Sequence, residues 1–286
     1  MAEVNYSDRT VFITGGSSGI GLAAAKLLAS RGAPVVIFAR GEARLETAAA
    51  AIRECSPSLA QTCAWRQLDV TRDDDVLRTM IHAVDDFGAP RILINSAGFS
   101  YPDYFENITA EKFDETIRTN LHGTRNTIHA LLPAMKVRGG NIVNISSLAG
   151  LVGIFGYTAY CAAKFAVIGF SESLRSEVKR HHITVSVLCP PDTDTPMLAE
   201  ENRTKPPETR AIAGNAGVMT PEEVARVMIR GMEKGTFIII PGLEGKLLYY
   251  ARRFFPAIVD SVMDRAVRSV SRDEGRKDRS GTPSEK

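Results

Sequence analysis

The sequence predicts a doubly wound α/β fold, a mainly parallel sheet of seven strands with helices on both faces, and three observations predict it. Short apolar runs rich in β-branched residues recur at residues 10–14, 35–39, 66–70, 91–95, 141–146, 183–189 and 237–240. Amphipathic stretches with helical apolar spacing lie between them, at 20–31, 44–54, 74–87, 110–136 and 160–180. The strand runs are apolar nearly throughout, as strands covered on both faces are. Parallel neighbours need crossover helices, and right-handed crossovers put those helices on both sides of the sheet, a Rossmann-type arrangement. Ligands of such sheets bind beyond the carboxyl ends of the strands, so the chemistry should lie in those loops.

A length of 286 residues suits one such domain over residues 1–242, and 44% hydrophobic with 24% charged residues permits a full core without disulfides or metal. A formal charge of +2, with no basic run interleaved with aromatics in the first 240 residues, argues against a nucleic-acid partner. Cys55, Cys63, Cys161 and Cys189 form no Cys-x-x-Cys pair, and the five histidines show no metal-ligand spacing. Reduced thiols and a cytoplasmic location are the expectation. The first nine residues include Glu3 and Asp8 and lack the apolar core of a signal peptide. Residues 141–163 carry no charge and are long enough to span a bilayer. Their asparagines, serines and glycines read instead as strand, glycine-rich loop and helix start. Residues 190–221, rich in proline and charge, form a long functional loop. Residues 243–272 make an amphipathic C-terminal extension, and the polar stretch 273–286 is expected to lack order.

Directly after the first strand run comes Thr14-Gly15-Gly16-Ser17-Ser18-Gly19-Ile20-Gly21, which opens a helix. Strand, glycine loop and helix in that order let the backbone approach a pyrophosphate, whose charge then meets the free amides and positive dipole end of the helix. A glycine turn without a ligand is the plainer alternative. The second strand ends at Ala39-Arg40, where an acid would hold the ribose of NAD. The planar, permanently charged fork of Arg40 suits a 2′-phosphate instead, with Ser17 and Arg44 as helpers, so NADP(H) is the expected cofactor.

Tyr160-Cys161-Ala162-Ala163-Lys164 sets a phenol and an ammonium four residues apart, on one helix face. At about 5 Å and an effective dielectric near ~20, the ammonium favours phenolate by roughly 3 kcal/mol, lowering a pKa of about 10 by about two units. Such a pair is weak evidence by itself, because many helices carry one on their surface.

In context these motifs resemble the short-chain dehydrogenase/reductase family. The spacing Gly-x-x-x-Gly-x-Gly is that family's, and Ser147 precedes Tyr160 by the family's interval, with Ser146 the less favoured hydroxyl. Asn120, in Thr119-Asn120-Leu121-His122-Gly123, matches its helix asparagine. Asp69-Val70 closes the third strand run, where the family places an adenine-binding acid, and Asn95-Ser96-Ala97-Gly98 resembles its Asn-Asn-Ala-Gly, with Ser96 as a departure. Beyond the sixth strand, Pro190-Pro191-Asp192-Thr193-Asp194-Thr195-Pro196 keeps the family's carboxamide-binding threonine as Thr195, while Pro191 replaces a glycine and stiffens the loop. The resemblance implies that Ser147 and Tyr160 bind a carbonyl, that Tyr160 protonates the oxyanion, that Lys164 also reaches the nicotinamide ribose, and that Asn120 supports a water behind the lysine. It implies cofactor contacts at Gly15, Ser17, Ser18, Gly19, Ile20, Gly21, Arg40, Arg44, Asp69, Val70, Asn95, Ala97, Gly98, Tyr160, Lys164, Pro190, Thr193 and Thr195.

Within that family, residues 190–210 resemble the 3-ketodihydrosphingosine reductases, which implies NADPH-dependent reduction of 3-ketosphinganine to sphinganine in sphingolipid biosynthesis. A long alkyl chain, at about 0.8 kcal/mol per buried methylene, calls for an apolar channel. Leu151, Val152, Ile154, Phe155, Met197 and Leu198 are candidates for it, and Asp192, Asp194, Glu200 or Glu201 could meet the ammonium. A reductase of another 3-oxo lipid or of a steroid is the rival enzyme reading. A non-catalytic NADPH-binding scaffold is the other, and the intact tetrad argues against it. The family commonly forms dimers or tetramers through the helices at 110–136 and 160–180.

Residues 243–272 carry Leu247, Leu248, Tyr249, Tyr250, Phe254, Phe255, Ile258, Val259, Val262 and Met263, interrupted too often by charge to span a bilayer. Lys246, Arg252, Arg253, Arg265, Arg268 and Arg272 outnumber the acids there. A helix kinked at Pro256 and lying on the cytoplasmic face of an anionic membrane is one reading. A cover over the substrate channel or a subunit interface is the other.

Overall fold

The computed structural model describes residues 6–213 and 217–280. Along the chain run β1 (Val11–Thr14), α1 (Gly19–Ser30), β2 (Val35–Ala39), α2 (Glu42–Arg53), β3 (Cys63–Gln67), α3 (Asp73–Phe87), β4 (Ile92–Asn95), α4 (Ala110–Ile117), α5 (Gly123–Arg138), β5 (Gly140–Ile145), α6 (Thr158–Val178) and β6 (Ile183–Leu188). Then follow α7 (Pro196–Thr204), α8 (Pro207–Ala213), α9 (Pro221–Glu233), β7 (Ile238–Ile239), α10 (Leu243–Phe254) and α11 (Pro256–Ser280). The seven strands form one parallel sheet in the order β3-β2-β1-β4-β5-β6-β7. The winding direction reverses between β1 and β4, so the loops leaving those strands diverge and open a crevice at their carboxyl ends.

Alternation of the pleat feeds two cores. Val11 and Ile13 of β1 face one side, where Leu28 of α1 and Met228 of α9 pack, while Phe12 faces the other, against Met80 of α3 and Leu131 of α5. The alanines 23, 24, 25 and 29 let α1 lie close to the sheet, which draws its N-terminus up to the end of β1.

Five expectations are corrected. β3 begins three residues earlier than the apolar run 66–70, because each residue of β2 pairs with one of 63–67. Cys63 and Trp65 meet one core and Ala64 the other, while Leu68 and Val70 are buried in the turn that follows. The helix expected over 110–136 is interrupted by a π-helical turn, Arg118–His122. Residues 190–221 carry α7 and α8 instead of forming a plain loop, and Thr195 and Thr220 cap the helices that follow them. Pro256 does not kink a single helix. It starts a new one, its missing N–H being no loss in a first turn. Helical backbone continues through Ser280, into the stretch expected to lack order, because extending a formed helix needs no new nucleus. Residues 281–286 of that stretch lie outside the described residues.

A buried polar chain ties the helices that carry the site to the sheet. Asn95 Nδ2 donates to Asn144 Oδ1 (2.8 Å), Asn144 Nδ2 donates to Ser171 Oγ (2.8 Å), and Thr127 Oγ1 donates to Asn95 Oδ1 (2.6 Å). These bonds join β4, β5, α5 and α6. Asn144→Leu keeps the volume but orphans the Asn95 amide, at a cost of about 1–3 kcal/mol. Urea unfolding should show a lower midpoint at unchanged slope. An unchanged midpoint would mean that the chain of bonds is dispensable.

Candidate active site

The loop from β1 into α1 is built around its glycines. Gly15 and Gly19 have φ of +67° and +53°, where a side chain is strained. A Cβ on Gly15 would stand 2.6 Å from the Ala97 nitrogen, and one on Gly21 would stand 2.5 Å from the Gly15 oxygen. The backbones after β1 and β4 therefore touch, and Gly21 serves that packing without lining the crevice. Ser18, the N-cap of α1, makes no capping bond through its side chain, which leaves the first amides of the helix open to an anion.

A cavity of about 1410 Å³ extends from this loop across the carboxyl ends of the strands. Gly15, Ser17, Ser18, Gly19, Ile20, Arg40, Arg44, Asp69, Val70, Ala97, Gly98, Ser147, Tyr160, Lys164, Pro190, Thr193 and Thr195 all line it. Arg40 and Arg44 are exposed at its rim and form no ion pair among the described residues. The Gln67 amide donates to the Arg40 carbonyl at 2.7 Å and fixes the backbone there. Asp69 lies in the turn beyond β3, its Oδ1 accepting from the Thr71 nitrogen and hydroxyl. Asn95 does not line the cavity. Both ends of its amide are engaged in the buried polar chain, so it serves the sheet.

The structure separates the two serines. Ser146 is buried and its hydroxyl donates to the Lys164 carbonyl at 2.9 Å, which latches α6 to β5. Ser147 Oγ accepts from the Ala149 nitrogen at 3.1 Å, which leaves its own proton for a ligand in the cavity. Lys164 Nζ donates to the Ile145 carbonyl at 2.9 Å and stands 5.3 Å from the centroid of the Tyr160 ring. Asn120 is buried in the π-helical turn and does not line the cavity. Its amide donates to the Phe99 and Thr116 carbonyls at 2.6 and 2.8 Å, and its Oδ1 and Lys164 Nζ flank the bare face of Gly98.

The phenol differs from the expectation drawn from Lys164 alone. Burial pushes Tyr160 far above its ordinary value, and the charge of Glu201 adds to this, while the nearby Ser147 hydroxyl opposes it. Burial also lowers the Lys164 ammonium to about 8. Tyr160 consequently keeps its proton, as an acid ready to donate must.

Of the residues expected to form an apolar channel, Ile154, Met197 and Leu198 line the cavity. Leu151 and Val152 pack elsewhere, and Phe155 lies edge-on to Tyr104. The wall is completed by Leu248, Val259 and Met263 of α10 and α11, helices whose apolar periodicity is visible but whose partner is not. A second feature the motifs did not single out is Tyr157, whose hydroxyl donates to Glu201 at 2.6 Å. Its place three residues before Tyr160 was the available signal.

Residues 9–206 match the short chain dehydrogenase family. The chain belongs to that family. This short-chain dehydrogenase is 38% identical over 240 residues to a 3-dehydrosphinganine reductase of Danio rerio, covering 83% of this chain and 72% of the relative. It is 37% identical over 280 residues to the 3-dehydrosphinganine reductase TSC10A of Arabidopsis thaliana, covering 94% and 84%. Among solved structures it is similar to a variant of actinorhodin polyketide ketoreductase with NADPH, at a TM-score of 0.74 and 28% identity, covering 83% of this chain and 97% of that one.

If Tyr160 is the proton donor, loss of the Lys164 charge should slow the short-chain dehydrogenase, because the phenolate left behind then lacks its cation. The value of kcat/KM for the nicotinamide cofactor reports the free enzyme. It should be level at lower pH and fall as pH rises through about 8. A profile flat to the ordinary lysine range would overturn this assignment.

Proposed function

We propose that this NADP-dependent oxidoreductase reduces the 3-keto group of 3-ketosphinganine to sphinganine, a step of sphingolipid biosynthesis. The observation that carries the reading is one continuous cavity that joins the glycine loop and Arg40 to Tyr160, and Tyr160 to an apolar wall. The reductase names of the Danio rerio and Arabidopsis thaliana relatives support the substrate.

The residues fit NADP(H). The glycine loop, which lines the cavity at Gly15 and Gly19, and the open amides of α1 suit the pyrophosphate, and Arg40 with Arg44 suits a 2′-phosphate where NAD would meet an acid. Thr195 Oγ1 accepts from the Leu198 nitrogen at 3.3 Å and so keeps a proton for a carboxamide. When bound there, NADPH supplies the hydride. The Ser147 hydroxyl orients the ketone oxygen, and Tyr160 gives that oxygen its proton. Lys164, across the ring face, lowers the energy of the phenolate that remains. Asn120 positions the β4–α4 loop that faces the lysine.

Purified protein with NADPH should turn over 3-ketosphinganine well ahead of a 3-oxoacyl thioester, and no turnover of the sphingoid base rejects the proposal. Arg40→Asp should cut the preference for NADPH over NADH about tenfold to a hundredfold, the ~1.5–3 kcal/mol of a charge-assisted bond. An unchanged preference would remove Arg40 from the cofactor site.

We also propose that α10 and α11 rest on an anionic membrane. Among the described residues no helix is long and apolar enough to cross one. Leu247, Phe254, Phe255 and Ile258 are nonetheless 72%, 65%, 60% and 61% exposed, close in sequence to Arg252 and Arg253. The same helices wall the cavity, so a lipid ketone could pass from bilayer to Tyr160. Exposed Val137 of α5 and Phe165 of α6 support self-assembly through those helices. Flotation should recover the protein with anionic but not with neutral liposomes. Protein that stays in the soluble fraction at low salt would leave α10 and α11 as a lid only.

A further inference from the structure

Carboxylates are seldom buried without partners that offset their charge. Glu201, on α7, is 7% exposed. Its Oε2 accepts the Tyr157 hydroxyl at 2.6 Å and lies 3.6 Å from Lys205 Nζ. That lysine is buried too, and it stands nearer to Asp192, at 3.2 Å. Two acids thus share one cation, and the trio keeps a surplus negative charge.

Two further acceptors stand open beside it. Glu201 Oε1 has no hydrogen bond or ion pair among the described residues. Ser100 is 6% exposed, and its Oγ has no hydrogen-bond partner among the described residues. Ser100 lies close enough to lower the Glu201 carboxyl, yet not in hydrogen-bonding geometry with it. Both residues line the cavity that contains Tyr160. The Tyr157 ring, which bears the bond to Glu201, has its centroid 5.5 Å from that of Tyr160. The carboxylate is therefore one aromatic ring away from the proton donor.

We propose that Glu201 and Ser100 form the binding site for a substrate ammonium carried on the carbon next to the ketone, and so select amino ketones over neutral 3-oxo lipids. An ammonium has three N–H donors and no acceptor, which suits a free carboxylate oxygen and an orphaned hydroxyl. Its charge cancels the surplus of the acid pair. The other acids do not fit this role. Asp194 does not line the cavity, Glu200 is an exposed partner of Arg203 at 3.0 Å, and Asp192 is 46% exposed and held by Lys205. Burial raises the Glu201 carboxyl, while Tyr157 and Lys205 draw it down, so an arriving cation consolidates the ionised form.

This assignment rests on the sphingoid-base function proposed above, and the experiment separates the two. Glu201→Gln keeps an acceptor for Tyr157 and removes the charge. With NADPH saturating, kcat/KM for 3-ketosphinganine should fall about tenfold to a hundredfold more than kcat/KM for its N-acetyl derivative, chiefly through KM. Equal losses on both substrates would make Glu201 a structural partner of Tyr157 and overturn the site. If Glu201→Gln does not fold, Ser100→Ala carries the same comparison, with a differential loss of about threefold to tenfold expected and none overturning it. If the wild-type enzyme reduces neither ketone, the function proposed above fails and the site is judged by binding alone. Dodecylammonium should then compete for the cavity at least about tenfold better than dodecanol, and only while Glu201 is present. Equal competition in the wild type would overturn the site.

Discussion

A reciprocal pair of hydrogen bonds between β5 and α6 holds the chemistry in place. Ser146 donates to the carbonyl of Lys164, and Lys164 donates through Nζ to the carbonyl of Ile145, both at 2.9 Å. The latch aligns the first turns of α6 with the end of β5, so that Tyr160 faces the serine that follows Ser146. It also demands glycine at 150, because a Cβ there would meet the Lys164 carbonyl at 2.8 Å. A side chain placed by two backbone carbonyls inherits the rigidity of the sheet, which the proton transfer proposed above would need.

Burial then sets the protonation states. Withdrawal from water opposes both phenolate and ammonium, so Tyr160 rises and Lys164 falls toward neutrality. Each change suits a reductase at physiological pH, since the tyrosine arrives protonated and the lysine remains mostly charged. Glu201 adds to the first effect and resists the second. The same carboxylate would therefore tune the acid and receive the substrate, an economy possible only in a pocket small enough for one charge to be felt by several groups.

The C-terminal helices show how one surface can face two ways. Leu248, Val259 and Met263 close the cavity, while Tyr250, Phe254 and Phe255 lie outside it and remain exposed. α11 packs on α8, while Tyr249 of α10 packs with Val187 of β6 and Ile240, so the cover is tied both to the segment after β6 and to the sheet. A lipid-handling enzyme gains from a wall of this kind, because the apolar path to the ketone need not pass through water.

Resemblance to a family pointed to Asn120 and Ser147, while local periodicity and spacing determined most of the strands and helices, the glycine loop, the place of Arg40 at a strand end and the Tyr160–Lys164 pair on one helix face. These features depend on residues close in sequence, whose geometry a strand or helix dictates. β3 was displaced because an edge strand takes its register from its neighbour, which the run 66–70 cannot reveal. Only the tertiary structure decided that Ser146 latches and Ser147 faces the cavity, that Asn95 serves the sheet, and that Leu151, Val152 and Phe155 lie away from the channel. It also brought Glu201 to Tyr157, forty-four residues away, and set the C-terminal helices across the cavity. Contacts between distant segments depend on how whole elements pack, and no local pattern of side chains encodes that.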